Sequence, residues 1–377
     1  MEILATTSFG LEAVLKRELE KLGYSNPKAY DGKVHIQGNL KDIARLNINL
    51  RTADRVLLKL AEFKATTFDE LFDNVSKIPF ENYIKADANV KMDGNCVKST
   101  LGAIKTSGSI IKKAVMKRLE NFYHCTLNET GETITIVFNI LKDIVTISLD
   151  TSGDGLHKRG YRTLNYIAPL KETLAAGLVM LTYYNINKPF VDTFCGSGTI
   201  PIEAALYALN IAPNKNRHFA FENFKTFNPF ILKDAILEAK QNEKTDIKPK
   251  IYACDINPEA IKMAKFHAKQ AGVLDYINFE VNDMKNFSSA EPYGILVSNP
   301  PYGDRIGNKN SIDILYKDLG KMFSRLPKWN AYILTDSKFL EKDFNRRADK
   351  KRKLYNANIE CVYYSFLSPK PEKTSQK

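Results

Sequence analysis

A doubly wound α/β sheet preceded by an α+β region is the architecture this chain predicts, and three observations predict it. Residues 168–329 alternate short apolar runs with helical stretches, as successive βαβ units do. One of those runs, 189–193, passes through Phe194-Cys195-Gly196-Ser197-Gly198 directly into a helical pattern at 199–209, giving strand, glycine turn and helix in sequence. The chain's 377 residues also exceed the usual size of one domain, and its first part mixes strands and helices without that regular alternation.

Taken in order, residues 2–6 read as a strand. Leu11, Val14, Leu15, Leu19 and Leu22 then form a helical apolar face that Gly23 ends. Residues 33–37 predict a second strand, 41–50 a helix and 55–63 another extended run. In the stretch 94–119 six basic residues stand with no acid, and Ile110, Ile111, Ala114, Val115 and Leu119 share one helical face. Lys112, Lys113, Lys117 and Arg118 are left facing outward, either as a solvated face or as a grip on a polyanion. Two strands, 133–139 and 144–149, precede a polar connector at 151–162, whose His157, Lys158, Arg159 and Arg162 either contact a nucleic acid or strap the flanking regions together.

Within the alternating half, residues 251–254 and 277–281 predict the second and third strands and 294–298 a fourth. The stretch 209–250 is too long for a simple loop, and Phe219, Phe221, Phe224, Phe227 and Phe230 suggest an insertion packed against the sheet. The basic cluster from Arg346 to Lys353 precedes a final strand pair and offers another phosphate contact, and residues 370–377 form a polar tail.

Composition narrows the class. Hydrophobic residues at 44% and charged residues at 26% exclude extensive disorder. A net charge of +12 suggests a polyanionic partner, because neutralising phosphates releases counterions. Five scattered cysteines and five histidines give neither a disulfide framework nor metal-ligand spacing, so no metal and a reducing cytoplasm are expected. No apolar run approaches the ~20 residues needed to span a bilayer, and the charged N-terminal stretch is unlike a secretion signal.

The chemistry-bearing residues lie at predicted strand ends. Asp192 ends the strand before the glycine turn, Asp255 the next, Asp283 follows the third, and Asn299-Pro300-Pro301-Tyr302 follows the fourth. Ligands in open α/β sheets bind outside the carboxyl ends of the strands, where these residues would converge. A dinucleotide fits poorly: Pro201 stands where the third small residue of that fingerprint belongs, and Asp255 lies far beyond the expected acid. A sulfonium methyl donor fits better, with its carboxylate at a helix N-terminus and its ribose on Asp255. Asn-Pro-Pro-Tyr is either an ordinary turn or a device for orienting an exocyclic amine. Such an amine is a weak nucleophile, so two rigidly held carbonyl acceptors that aim its lone pair would do most of the work, with Tyr302 stacking on the base.

The stretches Asp192 to Gly198, Cys254 to Pro258, Asn282-Asp283-Met284 and Ser298 to Arg305 resemble the successive motifs of class I S-adenosylmethionine-dependent methyltransferases. With residues 150–162 and 168–176, the whole chain resembles the THUMP-domain RNA guanine-N2 methyltransferases of the bacterial large-subunit type. The resemblance implies a ferredoxin-like lobe at 1–55, a THUMP RNA-binding domain at 56–152, a connector at 153–167, a Rossmann-like methyltransferase domain at 168–370 and a tail at 371–377. It places Phe194, Gly196 and Gly198 along the methionine part of the donor, Asp255 at the ribose, Asp283 and Met284 at the adenine, Asp192 and Ile256 also within the donor site, and Asn299, Pro300 and Tyr302 at the target guanine. Structured RNA, either 23S ribosomal RNA or transfer RNA, is the implied substrate, with Lys112, Lys113, Lys117 and Arg118 on its phosphates. A DNA adenine-N6 methyltransferase and a non-catalytic RNA-binding assembly factor are the competing readings.

Overall fold

The computed structural model describes residues 1–164, 170–301 and 309–368. These divide into two compact units. One comprises Met1–Thr7, Leu15–Leu156 and Asn214–Gln241; the other comprises Ser8–Val14, His157–Pro213 and the chain from Asn242 onward.

In order, the elements are β1 (Glu2–Thr6), α1 (Glu12–Lys21), β2 (Lys28–Tyr30), β3 (Lys33–Gln37), α2 (Leu40–Asn49), β4 (Arg55–Lys64), α3 (Phe68–Ser76), β5 (Asn89–Val97), α4 (Ile104–Tyr123), β6 (Thr133–Leu141) and β7 (Ile144–Asp150). There follow α5 (Glu172–Leu181), β8 (Phe190–Asp192), α6 (Thr199–Ala208), α7 (Pro229–Gln241), β9 (Ile251–Asp255), α8 (Pro258–Gln270), β10 (Ile277–Val281), β11 (Ile295–Ser298), α9 (Lys309–Ser324), β12 (Asn330–Thr335), α10 (Leu340–Asp343), β13 (Lys350–Asn356) and β14 (Ile359–Phe366).

The first unit is built on one sheet in the order β2-β3-β1-β4-β7-β6-β5. Its ten-residue β4 is long enough to pair with β1 through residues 55–59 and with β7 through residues 57–64, the second register shifting between Lys59 and Ala61. One sheet therefore runs through both expected N-terminal lobes. Alternation is strict in β6, where Ile134, Ile136, Phe138 and Ile140 are buried, as a sheet with one covered face requires. Capping boxes fix two helix starts: Asn39 with Asp42 at α2, and Thr67 with Glu70 at α3.

The aromatic insertion packs elsewhere than expected. Residues 214–241 belong to the first unit, where Phe221 N–H donates to Thr151 O at 3.1 Å and Lys225 N–H to Tyr83 O at 2.8 Å. Phe219, Phe221 and Phe224 are buried there, whereas Phe227 is half-buried and Phe230 is exposed. Aromatic density signals burial, but it does not say which surface does the covering.

The second unit has the order β10-β9-β8-β11-β12-β14-β13, with β10 through β12 parallel and β14 and β13 antiparallel. Strands β8, β11 and β12 are apolar on both faces because one core, including Phe190, Val297 and Ile202, covers one side while another, including Leu296, Tyr316 and Trp329, covers the other. From β8 the chain proceeds first toward β9 and β10 and later returns to add β11 on β8's other side, so the topological switch point lies between β8 and β11. The four consecutive cations Lys350 to Lys353 form the start of β13 itself rather than preceding it. An edge strand tolerates such a run because its outer side needs no partner.

Candidate functional site

At the switch point the residue types dictate the geometry. Gly198 has φ +86°, and a Cβ there would lie 2.9 Å from the Ala264 side chain, so only glycine lets α6 start this close to α8. The turn is held from below by the buried His267, whose Nδ1 lies 3.0 Å from Ser197 O. A carbonyl can only accept, so Nδ1 carries the proton; burial lowers the ring's pKa and favours the neutral form. From the side, Asp255 accepts the Gly196 N–H at 2.9 Å and the Asn257 N–H at 3.0 Å. Asn257 in turn caps α8 by accepting the Glu259 N–H. Asp255 thus locks the loop before any ligand arrives, and its oxygens keep further lone pairs for hydroxyl donors.

Asp192 is 1% exposed. One of its oxygens accepts the Phe194 N–H at 3.0 Å and the Ser298 hydroxyl at 3.1 Å, while the other has no partner among the described residues. Burial pushes this carboxyl up to about 7, the charge of Asp255 adds to the rise, and the two hydrogen bonds oppose it. Ser298 is fully buried and also accepts the Thr193 N–H at 3.1 Å. It ties the turn after β8 to the residue immediately before Asn299.

Asn299 is half-buried, and its side-chain oxygen has no hydrogen-bond partner among the described residues; Pro300 behind it is buried. Two unsatisfied acceptors, Asp192 Oδ2 and Asn299 Oδ1, therefore sit on residues joined through Ser298, one by a hydrogen bond and one by the chain. A buried acceptor without a donor costs about 1–3 kcal/mol, so each is a place where a ligand N–H gains what the free protein lacks. Around them, Ile256 is 70% exposed after β9 and Val281 is exposed at the end of β10, an apolar border suited to a purine. Asp283 accepts the Lys285 N–H at 2.9 Å and caps the short turn that follows. Met284 packs into the core and offers no open side chain to a ligand. Tyr302 lies outside the described residues.

Sequence patterns missed Ser298 and His267, single polar residues with no motif of their own; adjacency to Asn299 was the one available signal for Ser298. Cys195, beside them in the turn, is buried, and burial raises its thiol well above the usual range, as suits an inert spacer.

The cationic sites sort differently. Arg159 needs correction as a nucleic-acid contact: its side chain is 1% exposed and lies 3.5 Å from the fully buried Glu203, which also accepts the Tyr161 hydroxyl at 3.0 Å. Arg162 likewise donates to Leu170 O at 2.7 Å and lies 3.5 Å from buried Glu172, whose carboxyl burial pushes up to about 7. Both arginines compensate buried acids within the second unit itself and are not open to a phosphate, while Lys158 is exposed and His157 half-buried.

On α4, Arg118 is committed to Glu81, whose pKa it holds down, and Lys112 is paired with Glu129 at 2.8 Å. Lys117 lies over the Phe72 ring at 5.5 Å, and exposed Lys113 has no ion pair or hydrogen bond among the described residues. A groove of about 450 Å³ beside them is lined by Phe72, Lys117, Arg118 and Phe122. No helix among the described residues is long and apolar enough to cross a membrane.

Comparison with known proteins matches this architecture piece by piece. An RlmL ferredoxin-like domain matches residues 2–57, a THUMP domain residues 65–150 and an RMKL-like methyltransferase domain residues 159–365. YpsC of Bacillus subtilis (strain 168), provisionally named an RNA methyltransferase, is 41% identical over 99% of this chain and 98% of its own length. Ribosomal RNA large subunit methyltransferase K/L of Psychromonas ingrahamii is 34% identical over 97% of this chain, which spans only 50% of that relative. Among solved structures, SMU.472, provisionally described as a methyltransferase and complexed with SAH, superposes with a TM-score of 0.92 at 37% identity, covering 98% of each chain. A Listeria monocytogenes protein, described by prediction as an N6-adenine-specific DNA methylase, superposes with a TM-score of 0.93 at 42% identity, covering 98% of this chain and 96% of that one.

Proposed function

The chain belongs to the RMKL-like methyltransferase family, a family that uses S-adenosylmethionine, and from that premise we propose that it methylates the exocyclic N2 amine of a guanine in structured RNA, foremost large-subunit ribosomal RNA. The observation that carries this reading is the pair of unsatisfied acceptors, Asp192 Oδ2 and Asn299 Oδ1, on residues joined through Ser298. One fits a cationic ammonium in the donor pocket and the other a nucleobase amine, and methyl transfer needs both at once.

The residues fit the donor. Gly196 and Gly198 supply the positive φ that the turn needs, the N-terminus of α6 suits a carboxylate, Asp192 suits an ammonium, and Asp255 suits ribose hydroxyls. When bound, the donor supplies an electrophilic sulfonium methyl. Asn299 accepts one amine hydrogen and so turns the nitrogen lone pair toward that methyl. Pro300 holds the acceptor in place, because its ring fixes φ and restricts Asn299. The amine would attack through its lone pair with both hydrogens in place, so no general base is needed first; the proton of the resulting cationic amine leaves afterwards to solvent or the RNA.

RNA as the substrate rests on the THUMP match, the cationic α4 face and the names of the relatives. The ribosomal choice over transfer RNA rests on the large-subunit relative. All five cysteines are free thiols, in keeping with a cytoplasmic enzyme. Adenine N6 is also an exocyclic amine, so the acceptor chemistry alone admits the DNA reading suggested by the Listeria protein's description. Nucleoside mass spectrometry on cells with and without this protein separates them. The proposal expects loss of N2-methylguanosine from ribosomal RNA; loss from transfer RNA changes the substrate, and loss of N6-methyladenine from DNA overturns the reading.

A further inference from the structure

The chain's positive charge is concentrated where the methyl-transfer site does not use it. Residues 317–353 hold twelve Lys and Arg against five Asp and Glu, a net +7 of the chain's +12. This segment runs along the C-terminal part of α9, through β12 and α10, and into the edge strand β13. A cavity of about 700 Å³ opens on it, floored by Phe323, Leu326 and Phe344 and rimmed by Lys317, Lys321 and Lys342. Arg346 lines the same cavity and is fixed over the Phe323 and Phe366 rings at 5.8 and 5.9 Å, so the chain passes directly from groove to strand.

Some of these cations are spent inside the fold. Lys351 is paired with Glu341, Lys353 lies 2.6 Å from Glu360, and Arg352 donates to Gly10 O at 2.9 Å. Arg347 and Lys350 are exposed and their side chains make no ion pair or hydrogen bond among the described residues, and the same is true of the Lys317 and Lys342 side chains. Like charges this dense repel one another, and a polyanion relieves that repulsion while releasing its own counterions. Within the groove lies Asp343, 9% exposed, flanked by Lys317 and Lys342, with one carboxylate oxygen lacking a hydrogen-bond partner among the described residues. A phosphate is repelled from that floor. A base N–H or a ribose hydroxyl is a suitable donor to it, and the phenyl rings give a base an apolar face.

We propose that the face from α9 through α10 to β13 is a second RNA-binding surface, carried by the methyltransferase unit itself, with backbone phosphates on the Lys317, Lys342, Arg347 and Lys350 rim and a nucleoside in the groove. The assignment rests on the RNA reading above but not on guanine-N2 chemistry. It gives the methyltransferase unit its own hold on the substrate, independent of the α4 cations.

The test is filter binding of a full-length chain to an in vitro transcript of large-subunit ribosomal RNA across a series of KCl concentrations, for wild type and Arg347→Glu with Lys350→Glu. Donor affinity, measured in parallel, reports the fold of the variant; Arg347→Gln with Lys350→Gln replaces it if the reversal does not fold. The expected result is at least a tenfold loss of RNA affinity at unchanged donor affinity, with the log–log salt slope shallower by roughly 0.7–0.9 per phosphate contact removed. Equal affinity and slope in wild type and variant overturn this surface while leaving the RNA reading intact. Failure of the wild type to retain RNA at any salt overturns the RNA reading, and this surface with it.

Discussion

Two buried acid sites in the second unit differ in what neutralises them. Glu203 faces the Arg159 guanidinium and the Tyr161 hydroxyl, and Glu172 faces Arg162. Asp192, equally buried, is met by a backbone N–H and the Ser298 hydroxyl, with no cationic partner among the described residues; each of the three acids keeps one oxygen without a hydrogen-bond partner there, so the guanidinium is the difference. A buried charge without a partner is expensive, which makes such a group a candidate for completion by a ligand. The connector acids face guanidinium groups of the chain; the switch-point acid faces none, as the proposed binding of a ligand cation there requires.

The largest expected effect breaks the first site. Glu203→Gln removes the negative charge facing the buried Arg159 guanidinium, and chemical denaturation should show a loss of roughly 3–5 kcal/mol, with donor affinity of the folded fraction unchanged. Next comes the acceptor beside the second site. Asn299→Ala should cut turnover by roughly 10²–10³ while calorimetry finds donor affinity within about twofold, because the lost contact matters chiefly in the transition state. Ser298→Ala strands the Thr193 N–H and should cost about 1–3 kcal/mol of stability, with kcat falling further than donor affinity and Ser298→Thr restoring part of it.

A further effect is a pH dependence of donor affinity, which the switch-point acid should show and the connector acids should not. The Asp192 carboxyl lies at about 7 in the free protein, above its ordinary value of 3.8. The folded state therefore holds a proton that the unfolded chain has already released, and this group's contribution to stability falls as pH rises from about 4 to about 7. A donor ammonium prefers the ionised form, so its affinity should rise up to tenfold per pH unit below 7 and level off above it. Asp192→Asn should flatten that profile in calorimetric titrations.

Legibility followed the same divide. The strand, glycine turn and helix from 189 to 209 were readable because φ and spacing constrain those residue types, and the parallel strands because burial on both faces makes them uniformly apolar. Arg159 and Arg162 were not: a cation in a polar connector has the same local sequence whether it meets solvent or a distant buried Glu. The insertion at 214–241 was recognisable as packed but not as part of the first unit, since its partners Thr151 and Tyr83 lie far away in sequence. Ser298 and His267 escaped for the same reason, each acting through one hydrogen bond or a few across the sheet end.

The central claim is tested most directly by incubating the purified chain with methyl-labelled S-adenosylmethionine and unmodified large-subunit ribosomal RNA, then digesting to nucleosides. The account predicts label in N2-methylguanosine with wild type and almost none with Asn299→Ala. Label in another nucleoside, or undiminished label with the variant, would contradict it.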